Sequence, residues 1–260
     1  MNDVPSRGRT LAFRILAAVF GAASILSSVL FAVEPLVSED PIQQSHRVHV
    51  LGSLWGFGLT GAVLLAIAIT PSNVNAFQAG LIASIGMVVV GLVAGDLVTG
   101  FLFAGLVGSL ILLALHPHRR EALSFTGSPS AILLALGVIA LVPTGAYALT
   151  MAELQGGPPT DPHVELHHWS GMAAAAMSIV LVGIVAGLRT NGWRLTARLA
   201  AGAGALFGLT SVIYPDEPGA VESPWSWLTI AIALIYLGVA MLAAREGDAS
   251  GVGQPEAGTP

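Results

Sequence analysis

Long apolar runs separated by short polar segments make up most of the chain between residues 11 and 243. A run of about 20 apolar residues is long enough to cross the hydrocarbon core of a bilayer as a helix. The pattern predicts eight such spans, at 11–33, 48–69, 77–95, 97–115, 130–152, 167–188, 196–214 and 225–243. The third and fourth spans form one apolar stretch, in which Gly95, Asp96 and Gly100 supply the turn. We therefore expect an all-α integral membrane protein.

The chain also reads as two related halves. A shift of 119 residues superimposes ionisable positions of the second half on those of the first. The matched positions are Glu34 with Glu153, His49 with His168 and, one residue out of step, Asp96 with Asp216. Because each half holds four spans, the halves share one orientation, and we expect a parallel repeat of two pseudo-repeated four-helix halves. The expected division is an N-terminal tail at 1–10, halves at 11–119 and 120–244, and a disordered tail at 245–260.

Charge is distributed unevenly between the two ends of the predicted spans. With the N-terminus in the cytoplasm, nine of the ten arginines lie inside and only Arg47 lies outside, whereas ten of the fifteen carboxylates lie outside. Cytoplasmic loops of membrane proteins carry an excess of basic residues. This bias predicts a multi-pass protein of the cell membrane with both termini in the cytoplasm.

Composition supports the membrane class and excludes several cofactors. The chain is 54% hydrophobic and 10% charged, with a mean hydropathy of +0.79, whereas soluble domains are about 25% charged. The absence of cysteine excludes iron–sulfur clusters and covalently attached haem. The absence of lysine excludes a retinal Schiff base. No nucleotide-binding or metalloprotease motif occurs. The sequence leaves open whether the protein is an enzyme. We expect no nucleic-acid partner.

Ionisable side chains gather where the second and sixth spans begin on the predicted outer face. Two pairs have i, i+3 spacing, His46 with His49 and Glu165 with His168, so each pair shares a helix face. Di-metal carboxylate bundles combine single Glu residues with Glu-x-x-His motifs in a similar way. The predicted ligands of a transition metal (Fe, Cu or Zn) are His46, His49, His168, Glu165, Glu34 and Glu153. Further candidate ligands, or hydrogen-bond partners of the ligands, are Asp96, Asp216, His163 and His167.

The same histidines also fit a haem. His49 and His168 come from repeat-equivalent helices at equal predicted depth, so the two imidazoles could ligate one b-type haem between the halves. The layout, with the run Ser45-His46-Arg47 leading into the second span, is similar to that of the haem A synthases. Those are eight-helix proteins of two four-helix halves, with haem-linked histidines near the outer face. The resemblance implies redox chemistry or cofactor handling. The chain departs from that family because its fourth and eighth spans lack an outer histidine and it has no cysteine pair.

Small residues predict which helices approach each other. Gly52 and Gly56 form a small-xxx-small face on the second span, and Gly171 and Ala175 form one on the sixth. Such faces let helix backbones pack closely in a membrane. If these two helices pack together, His49 and His168 converge.

Two other functions are compatible with the sequence. A small-solute transporter or channel would use a cavity between the halves, where Pro143 kinks the fifth span and Tyr147 offers a hydroxyl one turn outward. A non-catalytic membrane partner or pH sensor would use the clustered histidines, which titrate near neutral pH. Besides the lipid bilayer, the expected partners are therefore a membrane redox protein or a small solute.

Overall fold

A computed structural model describes residues 6–96 and 100–251. Within these two ranges every regular element is a helix. In chain order they are α1 (Arg7–Val37), α2 (Pro41–Gln44), α3 (Arg47–Ile69), α4 (Val74–Val93), α5 (Gly100–Leu115), α6 (Arg119–Ser124), α7 (Ala131–Gln155), α8 (Pro162–Glu165), α9 (His168–Gly187), α10 (Trp193–Ile213) and α11 (Trp225–Gly251).

Seven helices of the described ranges are long and apolar enough to cross a membrane: α1, α3 (continuous with α2), α4, α7, α9, α10 and α11. Their number and composition establish a helical, multi-pass membrane protein, as predicted. The fourth predicted span, 97–115, corresponds to α5, which has 16 residues, and residues 97–99 lie outside the described ranges. An eight-span arrangement therefore stays a prediction.

The helices of the two halves follow the same order along the chain, and equivalent helices make equivalent packing contacts. A long helix, a short helix and a second long helix open each half, as α1–α2–α3 and as α7–α8–α9. The equivalent helices are α1 and α7, α3 and α9, α4 and α10, and α5 and α11. The contact of α1 with α3 corresponds to that of α7 with α9, and the contact of α4 with α5 to that of α10 with α11. Across the halves, the contact of α10 with α3 corresponds to that of α4 with α9. These equivalent pairings are what a parallel repeat would produce, although the repeat itself stays a prediction.

Helices α3 and α9 pack directly against each other at the middle of this arrangement. A methyl group added at Gly56 would overlap the Ala175 side chain and backbone, and one added at Gly52 would overlap the thioether of Met172. The two backbones approach this closely because glycine carries no side chain at the contact. The small-residue faces predicted from the sequence thus lie at the contact between the two helices.

Arginines at one end of the bundle bind backbone carbonyls, two of them at the carboxyl ends of α3 and α5 and one within α11. The Arg9 guanidinium donates to the His116 carbonyl at 2.8 Å, that of Arg14 to the Ile69 carbonyl at 2.9 Å, and that of Arg194 to the Ala244 carbonyl at 3.0 Å. The last carbonyls of a helix have no intrahelical partner, and positive charge there is favoured by the helix dipole. We call this end of the bundle the arginine end.

A buried imidazole closes the same end between α1, α4 and α5. The His116 ring is fully buried and lies 4.7 Å from the rings of both Phe13 and Phe77. Burial, together with the nearby His118 and Arg9, lowers the pKa of His116 to about 4, so the ring is neutral at pH 7. Its Nδ1 accepts the backbone N–H of His118 at 3.0 Å. Through these contacts His116 packs α1, α4 and the end of α5 together.

Two helices extend beyond the predicted boundaries. Helix α1 continues to Val37, and α11 continues to Gly251, past Arg245, where the sequence predicts a disordered tail. Residues 252–260 of that tail lie outside the described ranges.

Candidate functional site

Two short helices at the end opposite the arginines position the candidate site. Each begins with an Asp-Pro pair, a strong start signal because the carboxylate caps the first backbone N–H groups and proline fits the first helical position. Asp40 Oδ1 accepts the N–H of Ile42 at 2.9 Å before α2, and Asp161 Oδ1 accepts the N–H of His163 at 2.9 Å before α8. These turns lead the chain from α1 into α3 and from α7 into α9.

Four imidazoles meet between the starts of α3 and α9, and we call them the four-histidine cluster. They belong to His46, which precedes α3, His49 in its first turn, His163 in α8, and His168, the first residue of α9. All six distances between ring centroids fall between 4.7 Å (His46 to His163) and 6.3 Å (His46 to His49). His46 and His49 are 5% and 1% exposed. The cluster is therefore compact and largely removed from solvent.

Hydrogen bonds set which nitrogens of the cluster are free. His46 Nδ1 donates to the Ile42 carbonyl at 2.7 Å, and His163 Nδ1 lies 2.9 Å from the Asp161 carboxylate. Since a carbonyl and a carboxylate can only accept, Nδ1 of both rings carries a proton, and the neutral form of each ring has its lone pair on Nε2. The backbone N–H of His163 lowers the pKa of Asp161, which keeps that carboxylate ionised.

Several nitrogens of the cluster are buried and have no hydrogen-bond partner. They are Nε2 of His46, Nε2 of His163, both ring nitrogens of His49 and Nδ1 of His168. Buried polar atoms are nearly always paired, and an unpaired one requires an explanation. A cation that accepts nitrogen lone pairs could satisfy one nitrogen of each of the four rings, and the second nitrogen of His49 would remain without a partner.

An indole and a loop enclose the cluster. The Trp169 ring lies 4.7 Å from the His49 ring and 5.1 Å from the His163 ring. The backbone of Gly219, in the segment between α10 and α11, passes so close that an added Cβ would lie 3.2 Å from His49 Nε2. Gly219 has φ 79°, a conformation that favours glycine. The cluster is thus covered on the side away from the bundle centre.

The predicted carboxylate ligands do not share this burial. Glu34, Glu153, Glu165 and Asp216 are all exposed. Within the described residues, no group of three or more His, Asp or Glu side chains is arranged so that it could hold a metal ion. The imidazoles would have to rotate about their side-chain torsions to direct their nitrogens at one point.

The two remaining predicted polar residues form a separate network. His167 Nδ1 lies 2.9 Å from the buried Asp96 carboxylate, and the Ser170 hydroxyl donates to the same carboxylate. His167 has φ 58°, an unusual conformation for a residue with a side chain. This network fixes the first turn of α9, immediately beside His168.

The predicted cavity residues on α7 have other surroundings. Helix α7 runs without interruption through Pro143. The Tyr147 hydroxyl donates to the Gly219 carbonyl at 2.8 Å, which connects α7 to the segment that covers the four-histidine cluster.

Sequence reasoning gave His163 a subsidiary role, whereas the structure places it in ring contact with the other three histidines. The sequence does contain a pattern that marks the short helix carrying His163. The pairs Asp40-Pro41 and Asp161-Pro162 lie 121 residues apart, so the two short helices match at a slightly different shift from the one that superimposes His49 on His168. Each half therefore has an Asp-Pro helix start shortly before its histidines.

Comparison with known proteins found no relative: no family model, curated protein or solved structure matches the chain. The functional assignment accordingly starts from the geometry of the four-histidine cluster.

Proposed function

We propose that this multi-pass membrane protein binds one transition-metal ion at the four-histidine cluster. The observation that carries the proposal is the mutual contact of four imidazoles, those of His46, His49, His163 and His168. Each of these rings has at least one buried nitrogen without a hydrogen-bond partner. With metal–nitrogen bonds of about 2.0–2.1 Å, imidazole rings around one tetrahedral ion have centroids about 5 Å apart. The separations of 4.7 to 6.3 Å bracket that value, so the four rings are spaced as a shared ion requires, and binding would turn their nitrogens toward one point.

The donor set indicates the class of metal. Neutral imidazole nitrogens suit Cu, Zn, Fe and Ni, whereas Mg²⁺ and Ca²⁺ prefer oxygen ligands. The Asp161 carboxylate that accepts from His163 Nδ1 is the usual partner of a metal-binding histidine, since it fixes the tautomer and makes the free nitrogen more basic. We expect tight binding of Cu²⁺ and Zn²⁺, weaker binding of Co²⁺, and none of Mg²⁺ or Ca²⁺.

A single ion suits this geometry better than a haem. The rings of His49 and His168 stack with centroids 5.4 Å apart and planes 29° apart. His46 and His163 contact both of those rings and occupy the space beside them. A porphyrin between His49 and His168 would have to displace the other two imidazoles, whereas one ion would use all four.

The test is metal titration of detergent-purified protein that has first been stripped with a chelator. We expect one Zn²⁺ or Cu²⁺ per chain, and at least a tenfold weaker affinity in His49→Ala and in His163→Ala. His118→Ala is the matched control, because His118 lies at the arginine end near Glu121 and should leave binding unchanged.

Two results would contradict the proposal. One is folded wild-type protein, monodisperse and helical by circular dichroism, that binds no more Zn²⁺ or Cu²⁺ than the His49→Ala protein. The other is a stoichiometric Soret band that is lost in His49→Ala and His168→Ala, which would identify the ligand as haem.

A further inference from the structure

The segment between α10 and α11, residues 215–224, lies directly over the four-histidine cluster. Its Gly219 backbone contacts the His49 ring edge and the Trp169 indole. Ala220 and Val221 pack partly buried against the hydrophobic core. An ion bound by the histidines would therefore be separated from the aqueous phase by this segment.

The bundle below the cluster is closed. Met172 fills the space beside Gly52, and Ala175 touches Gly56 one turn further along α3. On the same helix, Trp55 Nε1 donates to the Thr210 hydroxyl at 2.8 Å. Helices α3, α9 and α10 thus seal the approach from the membrane interior. On the other side the covering segment lies between His49, which is 1% exposed, and water.

The composition of the segment fits a cover that moves as one piece. It contains three prolines, Pro215, Pro218 and Pro224, and each fixes its own φ angle and so removes a soft torsion. A short chain with few free torsions moves about its ends more readily than it rearranges internally.

The charge of the segment is suited to a cation. It carries Asp216, Glu217 and Glu222 and no basic residue, and Asp216 and Glu222 are exposed. Acidic side chains around an opening raise the local concentration of cations and the rate at which they arrive.

A side-chain hydrogen bond joins the middle of this segment to the bundle. The Tyr147 hydroxyl, on α7, donates to the Gly219 carbonyl at 2.8 Å, at the residue that contacts His49. The Tyr147 ring itself is held edge-on against Phe207 of α10. The hydroxyl is thus a fixed donor, and the segment can leave the cluster only after this bond breaks.

We infer that segment 215–224 is the gate through which the cluster exchanges its metal ion with the aqueous phase, and that the Tyr147–Gly219 hydrogen bond is its latch. This inference rests on the proposed metal site. The latch is present with and without the ion, because neither of its atoms is a ligand. Weakening it therefore accelerates loading and release by the same factor and leaves the equilibrium affinity unchanged.

The experiment compares Tyr147→Phe with wild type in the rates of Zn²⁺ uptake and of Zn²⁺ release to excess chelator. We expect both rates to rise about 2- to 10-fold, the range set by one ordinary hydrogen bond, with the same dissociation constant. Tyr236→Phe is the control, since the Tyr236 hydroxyl donates to the Gly183 carbonyl at 2.6 Å inside the bundle and lies away from the segment. Unchanged rates in Tyr147→Phe, or faster release with unchanged uptake, would overturn the gate.

A second readout does not depend on metal. The chain has no cysteine, so Ala220→Cys introduces a single thiol on the inner side of the segment. Its labelling by a water-soluble maleimide should be faster when combined with Tyr147→Phe and unchanged when combined with Tyr236→Phe. Equal labelling in all three proteins would also overturn the gate. Protein that binds no metal but still shows faster labelling would refute the metal site while retaining the mobile segment.

Discussion

At the scale of single residues, Asp161 performs two tasks with one carboxylate. Its Oδ1 accepts the backbone N–H of His163, which starts α8, and the Nδ1–H of the same residue, which orients the ring. Asp40 performs only the first task for α2, where it accepts the N–H of Ile42. Substituting each residue in turn therefore distinguishes the effect of helix capping on metal binding from the effect of imidazole orientation.

We expect Asp161→Asn to weaken Zn²⁺ binding about 10- to 100-fold, the usual effect of removing a carboxylate that supports a metal-binding histidine. Asparagine is as good an N-cap as aspartate, so α8 should still form. Asp40→Asn makes the same chemical change at α2 and should leave the affinity within a fewfold of wild type. Isothermal titration with Zn²⁺ measures both. An equal loss in the two variants would mean that cap strength, and not orientation of His163, controls the site.

The sequence grouped three of the four clustered histidines as main candidate ligands and named His163 as a further candidate, and the reason lies in their spacing. His46 and His49 share a helix face by their spacing, and the 119-residue shift relates His49 to His168. The exposure of Glu34, Glu153 and Glu165 was not predictable in this way. A carboxylate at the end of a helix faces either the bundle or the surface depending on how that helix is rotated against its neighbours, which local spacing does not specify.

At the scale of helices, the contact between α3 and α9 determines whether the histidines meet. Gly56 sits against the Cβ and backbone of Ala175, whereas a Cβ at Gly58 would meet only the end of the Leu54 side chain, at 3.7 Å. A methyl group at Gly56 must push the two helices apart, because a backbone cannot give way as a flexible side chain can. The starts of α3 and α9, which carry His49 and His168, would separate as a result.

Gly56→Ala should therefore lower thermal stability and metal affinity together. Overpacking of this kind costs about 1–3 kcal/mol, although alanine is otherwise the better helix former. Gly58→Ala adds the same methyl group where there is room, and should preserve or slightly raise stability. Thermal unfolding in detergent and Zn²⁺ titration of the two variants provide the comparison. Wild-type stability and affinity in Gly56→Ala would show that this contact does not hold the cluster together.

Helix boundaries were less predictable than helix positions. Hydropathy located each long helix, because burial in lipid requires a continuous apolar run. It did not locate the ends of two of them. Helix α1 continues past its predicted end to Val37, and α11 continues beyond Arg245. Hydropathy also did not reveal α2 and α8, whose four residues are too short for any periodicity and are marked only by their Asp-Pro starts.

At the scale of the whole molecule, two kinds of chemistry occupy opposite ends of the bundle. Arginines donate to carbonyls at the carboxyl ends of α3 and α5 and to one within α11 at one end, and the four-histidine cluster with its acidic cover lies at the other. The arginines serve both the helix termini and the orientation of the protein, because basic residues flanking spans are retained in the cytoplasm. The same bias would then direct the cluster and its gate away from the cytoplasm.

The orientation can be tested with single cysteines, since the wild-type chain has none. Glu39→Cys lies in the exposed segment before α2, and Ser128→Cys lies in the exposed segment between α6 and α7. In intact cells, a membrane-impermeant maleimide should label Glu39→Cys at once and Ser128→Cys only after the membrane is permeabilised. The reverse pattern would place the arginine end outside, against the positive-inside bias. The cluster would then draw its ion from the cytoplasm, so this labelling decides which metal pool the gate faces.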